Sequence, residues 1–184
     1  MPQKNHKTKF GFTIIEVVLV LAIAGLIFLM VFLALPALQR SQRDTQRRDD
    51  LAGFSTQITN YQSNNRGRLP VDWNSFLTNY MKQGGTFTTA DAPAEGTGEF
   101  MDPDGTNYGV AACGFNKEVT VNSKKFSKCT STELTPTEFN HMIYVIYGAK
   151  CDGETPVEVT GTASRQLAFL YKLEGGGVYC NSNS

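Results

Sequence analysis

The chain has 184 residues, 41% of them hydrophobic, with four cysteines and equal numbers of basic and acidic side chains, 17 of each. That length supports one modest core with an appendage, and the glycine and proline content is too low for collagen-like or disordered low-complexity classes. Zero net charge removes any overall drive toward nucleic acid or an anionic membrane, so either partner would need a local patch.

The first ten residues carry Lys4, Lys7 and Lys9 and no acid. From Val17 to Leu35 the chain then runs nineteen residues without a polar side chain, about the ~20 that cross a hydrocarbon layer as a helix. The basic flank places the N-terminus in the cytoplasm, although Arg40, Arg43, Arg47 and Arg48 on the far side weaken that bias. A plain anchor or a secretory signal leaves Glu16 unexplained, because an acid just inside an apolar helix is costly and most often functional. "ALPALQ" from Ala34 is also a poor cleavage site, with Leu35 two places before Ala37.

The stretch "KFGFTIIE" resembles the processing site of type IV pilins and of the related type II secretion pseudopilins: a short basic leader, Gly11, Phe12, and Glu16 four residues beyond the Phe. The resemblance covers roughly the first fifth of the chain, and a long apolar helix follows at once, as in that family. It implies cutting by a prepilin peptidase after Gly11 and N-methylation of Phe12. It further implies a fibre built by an assembly platform and motor ATPases, in which Glu16 meets the Phe12 ammonium of a neighbouring subunit. Such a buried pair would fix register as a lone polar group does in a coiled coil, since an unpaired carboxylate in low dielectric costs several kcal/mol.

Gly25 lies where many family members carry a helix-loosening glycine, and Pro36, about three residues later than the familiar proline, lacks a backbone donor and is expected to kink or melt the helix. Past it, "QRSQRDTQRRDD" is polar all round, so it is read as solvated or facing other subunits. Leu51, Phe54, Ile58 and Tyr61 then recur at spacings of 3, 4 and 3, one face of an amphipathic helix. One helix is thus expected from Phe12 to about Asn65, stopped by "NNRGRLP" with Gly67 as a left-handed cap and Pro70 beyond it. Asp72 caps a short second helix whose Trp73 is expected to anchor the core.

"GGTFTTADAPAEGTG" from Gly84 reads as a loop. Strands are expected at "KEVTV" from Lys117, "MIYVIYG" from Met142, "QLAFLYKL" from Gln166 and "GVYCN" from Gly177, the last after a glycine turn at Gly175 and Gly176. In the third, Leu167, Phe169, Tyr171 and Leu173 form one face, expected to cover the amphipathic helix. The predicted fold is therefore α+β: a leader over 1–11, a membrane or filament-core helix over 12–38, its amphipathic continuation over 39–65, and an extracytoplasmic domain over 66–184. That domain carries a small antiparallel sheet packed on the second half of the helix.

Cys113, Cys129, Cys151 and Cys180 all follow the membrane segment, where the compartment would be oxidising. Of three pairings we favour Cys113 with Cys129 and Cys151 with Cys180, which close a turn-rich loop and tie back the last strand. "MDPDGTNYGV" offers Asp102, Asp104 and Asn107 as calcium ligands and looks like the Asp-Pro, Gly, Tyr pattern of major pseudopilins, some of which hold calcium. Yet Gly105 stands fourth where an EF-hand needs a sixth-position glycine, so a Pro-containing turn is preferred. Lys124, Lys125 and Lys128 around Phe126 form a candidate patch for a DNA backbone and a stacked base, with solvated lysines the plainer reading. No enzyme motif is present, and His141 lacks a sequence neighbour that suggests a triad. The expectation is a non-enzymatic homopolymer without cofactor, single-pass in the membrane before assembly and on the cell surface afterwards. The fibre would serve motility, adhesion or DNA uptake. A minor pilin or pseudopilin is the alternative, and a membrane-anchored binding module the alternative of another class.

Overall fold

The computed structural model describes residues 11–84, 97–159 and 165–183. The leader up to residue 10 and most of the Gly84 loop lie outside them. The chain divides into one unit up to Gln39 and a second from Arg40 to Ser184. One helix, α1 (Ile14–Asn64), contributes to both.

In the first unit the apolar side chains are exposed, as are all the described residues except half-buried Ala24. By length and composition α1 is able to cross a membrane. It runs on as helix through Gly25 and Pro36 in the single chain. Proline denies a donor to the carbonyl four residues earlier, and the turns on either side keep their own ladder.

In the second unit α1 presents Leu51, Phe54 and Ile58, all buried, to a core shared with α2 (Trp73–Tyr80). Asp72 caps α2 by accepting from the Ser75 N–H at 3.3 Å. Trp73 stacks on Phe54 with ring centroids 5.9 Å apart, and Phe54 meets Phe169 edge-on at 5.5 Å. Four aromatic rings around one phenylalanine give the core its dispersion and a fixed geometry.

The strands are β1 (Gln83–Gly84), β2 (Thr97–Gly98), β3 (Gly109–Gly114), β4 (Val119–Val121), β5 (Lys124–Phe126), β6 (Met142–Tyr147), β7 (Ala149–Asp152), β8 (Thr155–Glu158), β9 (Leu167–Lys172) and β10 (Val178–Ser182). A one-turn helix, α3 (Ser131–Leu134), separates β5 from β6. The main sheet runs β10-β9-β6-β3. Its first three strands are antiparallel neighbours, and β3 adds a parallel edge to β6. The α+β architecture is as expected, but the sequence hid β3. "GVAACG" begins and ends in glycine and is otherwise small, so it carries almost no strand signal. A Cβ at Gly109 would lie 2.3 Å from the Met142 sulfur, so a larger residue there would have to turn that flexible side chain aside.

Both faces of β9 are buried. Leu167, Phe169 and Tyr171 face the α1 core, whereas Ala168 and Leu170 belong to a second cluster with Tyr144, Ile146, Cys113 and Cys129. That outer face is closed in part by the hairpin β7–β8 and two disulfides, Cys113–Cys129 and Cys151–Cys180. The pairing is the favoured one. At loop lengths of 16 and 29 residues, each crosslink lowers unfolded-chain entropy by about 3 to 3.5 kcal/mol at room temperature.

Candidate functional site

The residues that resemble a processing site stand at the start of α1. Gly11, Phe12 and Thr13 precede the helix, and Phe12 is 89% exposed. Glu16 turns back on this end, accepting from the Thr13 N–H at 2.9 Å and from the Thr13 hydroxyl at 2.8 Å. The Thr13 hydroxyl in turn accepts a long bond from the Glu16 N–H, 3.4 Å. This is a capping box, Thr at the cap and Glu three residues on. It gives Glu16 a local role that our sequence reading missed, although the motif was legible as T-x-x-E. The same device recurs at α3, where Thr130 and Glu133 exchange the equivalent bonds.

The second cluster lies where the polar stretch of α1 meets the sheet. The reading of "QRSQRDTQRRDD" as solvated or facing other subunits is corrected for Asp44 and Arg47, because both are buried, Arg47 at 0% exposure. Arg47 donates through Nε and Nη2 to the two Asp102 oxygens, each at 2.7 Å, and through Nη1 to Asp44 at 2.9 Å and Glu174 at 3.1 Å. Its guanidinium also sits 4.4 Å from the Phe139 ring centroid. Burial works against its charge, but Asp102 first, then Asp44 and Glu174, more than reverse this and raise its pKa. Asp44 is itself held by the Glu174 and Gly175 N–H groups at 3.0 and 2.7 Å. A Cβ at Gly175 would lie 2.7 Å from an Asp44 oxygen, so the turn between β9 and β10 needs glycine there. Arg43 grips Glu174 at 2.6 and 2.8 Å and holds its carboxyl down to about 2.

This network absorbs the calcium candidate. Asp102 receives four donors: two from Arg47, the Tyr171 hydroxyl at 2.9 Å and the Asp104 N–H at 3.1 Å. Asn107 turns elsewhere and donates to the Gly84 carbonyl at 3.0 Å. The side chain that joins Asp102 and Asp104 is instead His141, with one possible ligand atom from each lying within 4.8 Å of the others. His141 Nε2 is 2.6 Å from Asp104 Oδ2. Burial raises the Asp104 pKa, but the Thr106 and His141 hydrogen bonds outweigh it and leave the group at about 2. With Asp102 saturated by cationic and neutral donors, the cluster is a structural junction between the 102–106 turn and the start of β6. Among the described residues no Ser, Thr or Cys side chain is bonded to His141.

The lysine patch is altered by the fold. Phe126 is buried against Tyr147, centroids 4.6 Å apart, so it cannot stack a base. Lys124 donates to the Val71 carbonyl at 2.7 Å, while Lys125 and Lys128 are exposed. Comparison with protein-family models, with curated proteins and with solved structures finds no match to this chain.

Proposed function

We propose that this chain is a pilin, the structural subunit of a type IV pilus-like filament. It would be cut after Gly11, methylated on Phe12 and drawn from the membrane into a fibre cored by the first half of α1. The observation that carries the reading is the junction Lys9-Phe10-Gly11-Phe12 with Glu16 beyond it, opening a helix whose apolar side chains from Ile14 to Leu38 are exposed in the single chain. So large an apolar surface must be covered by lipid, by copies of itself, or by each in turn. Glu16 is the only charged side chain between Lys9 and Arg40. A prepilin peptidase, an assembly platform and motor ATPases are the partners this reading requires.

Surface fibres sheared from cells and analysed by mass spectrometry test it. The expected chain lacks residues 1–11, carries one added methyl on Phe12 and dominates the preparation. A scarce chain in fibres made of another protein indicates a minor pilin or pseudopilin, and a surface chain that keeps Met1 refutes the processing. Gly11→Val should leave the leader attached, because the added bulk blocks the cut.

A further inference from the structure

Two groups of charged side chains without an ion pair among the described residues lie apart along α1 in the second unit. From Asp49 to Asn64 the helix rises about 22 Å at ~1.5 Å per residue. Just past Asn64, three segments bring cations together. Arg66 and Arg68 are exposed in the 65–71 segment, and the Arg165 guanidinium lies over Gly67, 3.7 Å from where a side chain there would begin. The hairpin β4–β5 is pinned to the same segment, with Asn122 donating to the Leu69 carbonyl at 2.8 Å and Lys124 to that of Val71. This brings Lys125 and Lys128 to the same end. Residues 62–71 and 119–128 contain no acid, and exposed Glu118 directly before β4 is the acid that adjoins the hairpin. Asp72, which follows, is committed to Ser75 at the start of α2.

Toward the other end of this part of α1, Gln46, Asp49 and Asp50 line one side of a cleft of about 360 Å³, and the 101–105 turn lines the other. Asp50 accepts from the Tyr108 hydroxyl at 2.8 Å. Neither Asp49 nor Asp50 has an ion pair among the described residues. Arg48, the nearest exposed cation on α1, lies about 100° round the helix from Asp49 and is not part of the cleft wall.

We propose that these two surfaces are halves of one contact: the basic end of one copy docks on the acidic cleft of a second copy, head to tail. The argument is charge complementarity between a cationic end and an acidic cleft carried by the same chain. Unlike patches set apart on one subunit make a heterologous contact, which propagates into an open polymer when the rotation does not close. Opposed charge also selects register and partner more strongly than it adds affinity. The inference rests on the filament reading and supplies a contact outside the apolar helix.

The test is a charge swap in the full chain, read as fibre yield at equal membrane abundance. Arg68→Glu with Lys125→Glu reverses the basic end at exposed positions outside the hydrogen-bond network, and Gln46→Lys with Asp49→Lys reverses the cleft. Each pair alone should lower yield by about tenfold or more, and all four together should restore most of it, since the attraction is then re-formed with opposite sign. Protease resistance and intact disulfides on non-reducing gels confirm that each variant is folded. Wild-type yield from either folded pair overturns the proposal, as does a four-residue swap that fails to recover. A wild-type chain absent from sheared fibres instead overturns the filament reading itself, so the two failures are distinct.

Discussion

Replacing Asp102 by Asn tests whether ion pairing holds the polar stretch of α1 to the sheet. The carboxylate takes Arg47 Nε and Nη2 at 2.7 Å, the Tyr171 hydroxyl at 2.9 Å and the Asp104 N–H at 3.1 Å. An amide offers one oxygen, so its NH2 group must face two of those donors while Arg47 stays buried beside a lost charge. Breaking a buried pair costs ~3–5 kcal/mol, and because Asp44 and Glu174 still touch Arg47, the expected loss is about 3 kcal/mol. In a domain of about 150 residues each kcal/mol moves Tm by roughly 2–4 °C, which gives a fall of about 6–12 °C. Thermal unfolding of the full chain in detergent, followed by near-UV circular dichroism of the packed Trp73 and tyrosines, reads this directly. A Tm within about 2 °C of wild type would refute the reasoning.

Three further outcomes are expected. Glu174 and Asp104 both titrate at about 2 in the folded chain, below their ordinary values of 4.5 and 3.8; their contribution is complete above those values and is lost as pH falls toward 2. Tm measured from pH 6 downward should therefore drop through that window, and Arg43→Gln should flatten the Glu174 part of the drop. Glu16→Gln keeps the capping oxygen but not the charge, whereas Glu16→Val loses both. If the charge is what assembly needs, both variants insert and are processed yet fail to form fibres, and normal fibres from Glu16→Gln would reduce the residue to a helix cap. Cys180→Ser opens the 29-residue loop and should lower stability by about 3.5 kcal/mol, seen as a Tm fall of roughly 7–14 °C and faster proteolysis.

Much of the fold can be read along the chain because the signals are local. An uninterrupted apolar run specifies a helix that no soluble core of this size could hide, and the 3-4-3 spacing from Leu51 to Tyr61 specifies which face of its continuation packs. Alternation in β9, the glycine turn before β10 and the Asp72 cap are likewise properties of neighbouring residues. The T-x-x-E cap at Thr13 and Glu16 was equally local.

What the sequence by itself determined is the division of the chain into an apolar helix, its amphipathic continuation and a cysteine-bearing α+β domain, each set by composition or period. What only the tertiary structure decided is the fate of the polar residues. Arg47 and Asp102 are 55 positions apart, so no window along α1 could show that this arginine would be buried, or that an aspartate of the 102–106 turn would be spent neutralising it. Phe126 in the core, β3 as a parallel edge and Arg165 beside Gly67 depend in the same way on segments meeting across the fold. The physical reason is that burying a charge is favourable only when its partners already surround it, and those partners are assembled by the packing of the whole domain.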